Sequence, residues 1–249
     1  MSDFVIVIPS RYASTRLPGK PLREINGKPM LEHVYERGVE SAASKVIVAT
    51  DDERIADVAE GFGARVCMTG DQHRSGTERI AEVCDLMDWN DDRIVVNLQG
   101  DEPTMPASLI DQCAGLLGNS DADIATLASP IASQIDFENP NVVKVVVSDG
   151  GNAIYFSRAA IPYARVQDRQ EQARNAALHH HGIYAYRCGV LRRLVAAKPS
   201  ELEMCERLEQ LRALSLGLTI RVAVPAKRPG AGVDTEEDLE AAAKELRDE

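Results

Sequence analysis

Three stretches hold side chains that could act together on an anionic substrate. The first runs Pro9-Ser10-Arg11-Tyr12-Ala13-Ser14-Thr15-Arg16-Leu17-Pro18-Gly19-Lys20-Pro21-Leu22 and follows a short apolar run. It sets three cations, Arg11, Arg16 and Lys20, among hydroxyls and a glycine, a composition suited to gripping a polyphosphate. The second, Val95-Val96-Asn97-Leu98-Gln99-Gly100-Asp101-Glu102-Pro103, ends a strand-like run in two carboxylates. A carboxylate beside phosphates suits a bridging Mg²⁺, which takes one or two protein carboxylates and completes its shell from the substrate. The third, Gly232-Val233-Asp234-Thr235, offers a further carboxylate just before a helix-like segment. Each stretch also has a plainer reading: a solvated basic loop, Asp101 as the N-cap of a helix over Pro106–Leu117, and a capping box of Thr235 with Asp238. No GxxxxGK(S/T) or GxGxxG run is present, so these cations would bind phosphate without a P-loop or a dinucleotide fingerprint.

The run His179-His180-His181 invites a metal reading. Period-2 geometry instead sends His180, Tyr184 and Tyr186 to one strand face and His179 and His181 to the other, so three adjacent histidines cannot chelate together. The His180 and Tyr184 face could present donors to a hydroxylated ligand, and Arg158 could anchor a substrate carboxylate through a bidentate pair. In Leu208-Glu209-Gln210-Leu211, the two leucines face the core and leave Glu209 and Gln210 on the flank. Ser10, Ser14, Thr15 and Ser75 have no His/Asp constellation and no GxSxG elbow, which disfavours covalent hydrolase chemistry.

Charge sharpens the picture. The chain of 249 residues carries a formal net charge of −11, yet its first thirty residues are net +3. The overall balance excludes a broad grip on nucleic acid or an anionic membrane, while the local inversion marks the first loop as a site for anions. With 44% hydrophobic and 27% charged residues the composition is that of a globular protein. No apolar run reaches the length of a membrane span, and the N-terminus does not read as a signal peptide, so a cytoplasmic protein is expected. Five scattered cysteines without a Cys-x-x-Cys pair read as reduced structural thiols.

Elements that could position these residues follow from periodicity. Buried strands are expected at Phe4–Ile8, Val46–Ala49, Arg65–Met68 and Ile94–Leu98. Helices are expected at Met30–Ser41, Glu53–Phe62 and Thr77–Met87, with Met30, Val34 and Val39 on one face of the first. This alternation predicts βαβ units and a mostly parallel sheet. Val142–Val147 and Ala153–Ser157, joined by Ser148-Asp149-Gly150-Gly151, read as a hairpin. Arg165–Asn175 has no apolar period and reads as an exposed mobile loop. A strand at His180–Tyr186, helices near Val190–Ala197 and Glu203–Leu216, a strand at Thr219–Val224 and a helix at Glu236–Arg247 complete the chain.

Nine ordered motifs, PSRYASTRLPGKPL, GKPM, SGTER, NLQGDEP, NPNVVKVV, YFSRAAIPY, HHGIYAYR, LEQLR and GVDTEEDL, resemble those of the 3-deoxy-D-manno-octulosonate cytidylyltransferases, the CMP-Kdo synthetases. The resemblance runs essentially end to end. It implies an α/β nucleotide-diphospho-sugar transferase fold over 1–249, mostly a parallel Rossmann-like sheet, with 130–190 as a smaller antiparallel insertion for sugar binding and homodimer formation. It also implies a reaction of CTP with Kdo that yields CMP-Kdo and pyrophosphate for lipopolysaccharide biosynthesis, with Mg²⁺. Carried over by position, Arg11, Arg16 and Lys20 match the triphosphate-binding cations, and Asp101 and Asp234 match the metal carboxylates. Ser10, Ser75, Arg79 and Asp101 fall on the CTP side. Gln99, Arg158, His180, Tyr184, Glu209 and Gln210 fall in the sugar-acid pocket. Ser10 stands where many members have alanine, and His181 where an apolar residue is usual. The competing readings are a cytidylyltransferase for another sugar acid, such as an 8-amino analogue or sialate, and a regulatory module that binds CTP without turning it over.

Overall fold

Runs such as Val5-Ile6-Val7-Ile8 are apolar on both faces, as a strand covered by helices on each side requires. The computed structural model describes residues 3–13, 17–227, 229–230 and 232–248. In chain order its elements are β1 (Phe4–Ser10), β2 (Glu24–Ile25), β3 (Lys28–Pro29), α1 (Met30–Val39), β4 (Lys45–Thr50), α2 (Glu53–Gly61), β5 (Arg65–Met68) and α3 (Gly76–Leu86). There follow β6 (Ile94–Asn97), α4 (Ala107–Gly118), β7 (Ile124–Pro130), α5 (Gln134–Glu138), β8 (Lys144–Val147), β9 (Ala153–Ser157), α6 (Gln170–Asn175) and β10 (Ala177–Arg187). The chain ends through α7 (Cys188–Ala196), α8 (Glu201–Glu206), α9 (Gln210–Ser215), β11 (Ile220–Ala223) and α10 (Glu236–Asp248).

The main sheet runs β11-β7-β10-β6-β1-β4-β5. β1 pairs in parallel with β4 and β6, β4 with β5, and β11 with β7, while β10 runs antiparallel to both of its neighbours in this row. The β8–β9 hairpin joins the same sheet through β10 rather than forming one of its own. From β1 the chain winds outward to β5, then returns to lay β6 on the other side of β1. That reversal opens a crevice at the carboxyl ends of β1 and β6, where open α/β sheets bind ligands. Both chemistry-bearing loops, after Ser10 and after Asn97, begin there.

One apolar layer packs α1, α2 and α4 against one face of the sheet through Leu31, Val34, Ile55, Ala59 and Ile110. The other packs α3 and α7 through Ile80, Val83, Leu191 and Leu194. All five cysteines are free thiols; four are buried and Cys205 is exposed.

Four expectations need correction. Val39 is exposed, because α1 ends there and turns its last residue away from Met30 and Val34. Arg165–Asn175 is not a plain loop: it contains a 3-10 turn at Gln167–Arg169 and then α6, held by a single buried residue, Ala173, packed with Ile131 and Phe137. Glu203–Leu216 is two helices, not one. A capping box of Ser200 with Glu203 starts α8, Arg207 breaks it in the left-handed region at φ 52°, and the Arg212 guanidinium folds α9 back onto Glu203. β7, absent from the expected strands, lies buried between β10 and β11.

Candidate active site

Backbone geometry brings the three stretches together. Gly19 takes the left-handed conformation at φ 64°, and its N–H donates to the Tyr12 carbonyl at 3.3 Å, tying these two residues together. Lys20 then opens a 3-10 turn whose Pro21 is buried. Gly100 lies so close to β1 that a Cβ there would meet Ser10 Oγ at 3.0 Å. The tips of β1 and β6 are therefore pressed together. On the C-terminal side, the Val233 N–H donates to the Asp101 carbonyl at 2.8 Å, while the Val233 side chain is buried with Leu17, Met30 and Leu239.

This places Asp101 and Asp234, far apart in sequence, on one cation. Lys20 Nζ donates to Asp101 Oδ2 at 2.6 Å and to Asp234 Oδ1 at 2.8 Å. Burial alone would push the Lys20 ammonium down, but Asp101 and Asp234 outweigh it and hold it above its ordinary value. The N-cap role weighed for Asp101 falls on another residue, whereas the capping box weighed for Thr235 with Asp238 forms. Pro106 is the N-cap of α4, and Thr235 and Asp238 exchange hydrogen bonds across the start of α10, which leaves the Asp234 carboxylate to face Lys20. Beside them Glu102 is pushed up to about 8, first by burial and then by the charges of Asp101 and Asp234.

A cleft of about 600 Å³ opens over this cluster, lined by Ser10, Arg11, Lys20, Ser75, Arg79, Gln99, Asp101 and Asp234 together with His73 and Arg74. Its size and mixed lining suit a nucleotide. Ser75 is the N-cap of α3, and its hydroxyl also donates to Glu209 Oε1 at 2.8 Å while Thr77 donates to Glu209 Oε2 at 2.8 Å. Arg79 is buried and tied to Thr69, to the Gly70 carbonyl and, at 3.1 Å, to Asp51. Glu209 lines a second cavity of about 330 Å³ that shares Arg74 and Ser75 with the first, so the two adjoin at the start of α3.

The remaining candidates are placed less uniformly. Arg16 lies outside the described residues, as do Ser14 and Thr15. Arg158 is not brought to the cleft: its Nε donates to the Glu206 carbonyl at 2.7 Å and its Nη1 to the Pro140 carbonyl at 3.1 Å, so its guanidinium ties backbone segments together. Gln210 opens α9 beside Glu209 and lines neither cavity. His180, Tyr184 and Tyr186 do share a face, with ring centroids 5.2 and 5.5 Å apart along the row, and His179 pairs with His181 at 5.2 Å. Among the described residues no cluster of three or more His, Cys, Asp or Glu is arranged to hold a metal. The sequence reading passed over His73, in contact with Glu82, and Arg74; the one signal was their position just ahead of the Ser75 helix cap.

Thr126 lies against His180. Its hydroxyl donates to the Ile183 carbonyl at 2.7 Å and is 3.1 Å from His180 Nε2. Burial, then His181 and His179, pushes this imidazole down to about 3. The unfolded ring titrates near 6.5, so between about pH 6.5 and 3 the unfolded chain holds the extra proton and stability falls as pH falls. His180→Gln should remove that slope. The stability advantage of the parent over the variant is expected to shrink by about 2 kcal/mol from about pH 7 to pH 5 in denaturant titrations; a constant difference would show that His180 is not held neutral.

The comparisons agree with this geometry. The family model described as cytidylyltransferase matches residues 5–220. The structure of a CMP:2-keto-3-deoxy-manno-octonic acid synthetase complexed with CTP superposes with a TM-score of 0.90 at 42% identity, covering 99% of this chain and 99% of that one. A cytidylyltransferase from Leptospira borgpetersenii serovar Hardjo-bovis shares the fold, with a TM-score of 0.65 at 18% identity over 100% of this chain and 88% of that one. A family match across most of the chain, joined to a cleft with cations and paired carboxylates at the switch point of the sheet, gives the identification: the chain belongs to the cytidylyltransferase family.

Proposed function

We propose that this chain is a CMP-Kdo synthetase, which transfers the cytidylyl group of CTP to 3-deoxy-D-manno-octulosonate and releases pyrophosphate. The observation that carries this reading is the convergence of Asp101 and Asp234 on one cation inside a basic cleft, in a chain 42% identical over 99% of its length to a synthetase of that name solved with CTP.

The anomeric hydroxyl of the sugar acid attacks the α-phosphorus in line with departing pyrophosphate. Arg11 and Lys20 line the cleft where the triphosphate would lie, and their charge stabilises the leaving group as its negative charge grows. Asp101 and Asp234 fit Mg²⁺: both are hard oxygen donors, and a cationic group already sits between them. When bound there, Mg²⁺ would polarise the α-phosphate and acidify the attacking hydroxyl. Ser75 lines both cavities and is joined to Glu209, which lines the second, so this pair would separate nucleotide from sugar acid.

Two buried polar atoms support a hydroxylated ligand on the β6–β10 side. Asn97 Oδ1 and Tyr184 OH have no hydrogen-bond partner among the described residues, a cost of about 1–3 kcal/mol each unless a ligand or water meets them. Tyr184 stands directly across from Asn97 in the sheet. Tyr184→Phe should leave the melting temperature unchanged or higher and lower kcat/KM for the sugar acid about tenfold, with little change in KM for CTP. An unchanged value for the acid would take the Tyr184 hydroxyl out of the acceptor site.

The antiparallel region exposes Ile135, Ile154, Tyr163 and Val166, an apolar set suited to a homodimer contact. Sedimentation velocity should return the mass of two chains, and Tyr163→Glu with Ile154→Glu should shift it towards one; a dimer indifferent to both changes would move the interface elsewhere. No helix among the described residues is long and apolar enough to cross a membrane. We place the enzyme in the cytoplasm, where CTP is made.

Pyrophosphate release tests the function. It is expected with CTP plus Kdo and Mg²⁺, and not with UTP, GTP or ATP. Release with CTP and sialate alone would move the acceptor, and binding of CTP with no release under any condition would return the chain to a nucleotide-sensing module.

A further inference from the structure

The paired carboxylates raise a question about the state of the protein before substrate arrives. Two like charges held this close repel unless a cation stands between them. Here the cation is part of the chain. Lys20 Nζ lies 2.6 Å from Asp101 Oδ2 and 2.8 Å from Asp234 Oδ1, and the Lys20 side chain is only 12% exposed. An octahedral divalent cation with oxygen ligands at about 2.0–2.1 Å would need the same notch between the same two oxygens. The ammonium and the metal cannot both occupy it.

We infer that Lys20 is a built-in placeholder: its ammonium fills the Asp101–Asp234 notch in the free protein and leaves it for the triphosphate, so that the divalent cation enters with the nucleotide and not before. The inference rests on the reading of these carboxylates as the metal site, and goes beyond it by assigning an order of events to one side chain.

The local structure suits such a switch. The Lys20 backbone is fixed, since its N–H donates to the Leu17 carbonyl at 3.1 Å and Pro21 beside it is buried. Its four-carbon stem is flexible, and both alternative partners, carboxylates and incoming phosphates, fall within the cleft that Lys20 lines. Arg79, by contrast, is buried and committed to Asp51, Thr69 and Gly70, and is poorly placed to move. A triphosphate carries more negative charge than the two carboxylates and brings its own metal ligands, so its arrival both draws the lysine away and fills the vacated notch. Metal is thereby kept from settling without nucleotide, and the carboxylates stay neutralised at every stage.

The test is Mn²⁺ binding to the full-length chain without nucleotide or sugar acid, read by the loss of the free-ion electron paramagnetic resonance signal. Removing the ammonium should open the notch: Lys20→Met is expected to bind Mn²⁺ at least about tenfold more tightly than the parent, and Lys20→Arg, which keeps the charge, should remain weak. A loss of structural support alone would weaken binding, not tighten it. Should Lys20→Met prove too unstable to titrate, Mn²⁺ should raise its melting temperature by several degrees while barely moving that of the parent. The double variant Lys20→Met/Asp101→Asn separates the two claims. If Lys20→Met gains no affinity while parent turnover still depends on the metal and on Asp101, the placeholder is overturned and the metal site stands. If the gain appears but survives loss of Asp101, the ion sits elsewhere and the metal reading itself is overturned.

Discussion

Asp101→Asn is expected to lower kcat/KM by about 10³-fold or more while leaving the fold in place. The size follows from position. Asp101 shares one cation with Asp234 at the mouth of the cleft, and an amide at this position would offer a neutral oxygen where a metal beside a reacting phosphate needs charge. Losing one preorganised electrostatic contact at a reacting centre typically costs 10²–10³ in rate, and misplacing a metal costs several kcal/mol more. The fold should survive because Asp101 supports it through its backbone: its carbonyl accepts from Val233 at 2.8 Å, and the substitution leaves that bond intact. Its side chain is 37% exposed and packs in no core. Steady-state kinetics with a melting curve on the same preparation check both halves. Parental turnover would remove the carboxylate from the chemistry, whereas inactivity with a lowered melting temperature would make its role structural.

Lys144→Met should carry the largest stability loss outside the cleft. Lys144 is wholly buried, and its ammonium donates to the carbonyls of Asn139 at 2.8 Å, Val142 at 2.6 Å and Arg158 at 2.6 Å. It acts as an internal pin where α5, β8 and the end of β9 meet. Burial, with the Arg158 charge adding to it, pushes the ammonium below its ordinary value, so the pin carries a desolvation cost of its own. Methionine nearly matches its volume but supplies no donor, leaving three buried carbonyls bare at about 1–3 kcal/mol each. Part of that is offset because a buried charge disappears. A net loss of about 3 kcal/mol, or a melting temperature lower by about 6–12 °C for a chain of this size, is the expected result. The β10 segment should loosen with it, since the His180 N–H donates to the Val143 carbonyl next to the pin. An unchanged melting temperature would mean that water can reach and satisfy those carbonyls.

The legible parts of this protein are those where one physical signal dominates. β1, β4, β5 and β6 are short runs of β-branched and aliphatic residues between amphipathic segments, and they fall within one or two residues of their expected ends. β7 was not legible. Its sequence, Ile-Ala-Thr-Leu-Ala-Ser-Pro, is buried at six of seven positions, yet small residues fill the space between α4 and β10 without an apolar run to mark it. α6 was hidden for the opposite reason: one buried alanine gives no period. The break between α8 and α9 depends on a contact from Arg212 back to Glu203, nine residues earlier, which no helical pattern encodes.

The candidate site divides in the same way. The basic loop stood out against an acidic chain, and Asp101 stood out as the end of a buried strand. Asp234 was harder to single out, because the capping box of Thr235 with Asp238 explains its segment without a ligand, and only the fold reveals that Val233 binds the Asp101 backbone and sets Asp234 on Lys20. Helical spacing puts Glu209 only on the flank of the Leu208–Leu211 face, and it takes the start of α9 to bring its carboxylate onto Ser75 and Thr77. Arg158 went the other way, its guanidinium being taken up by backbone carbonyls.

The most direct test of the central claim, cytidylyl transfer to the anomeric hydroxyl, follows the oxygen. Kdo carrying heavy oxygen at the anomeric hydroxyl is incubated with CTP, Mg²⁺ and the enzyme, and the products are read by mass spectrometry and phosphorus NMR. Attack at the α-phosphorus predicts the label in the bridging oxygen of CMP-Kdo and none in pyrophosphate. Label in the inorganic product, or a cytidine product without sugar acid attached, would contradict the account.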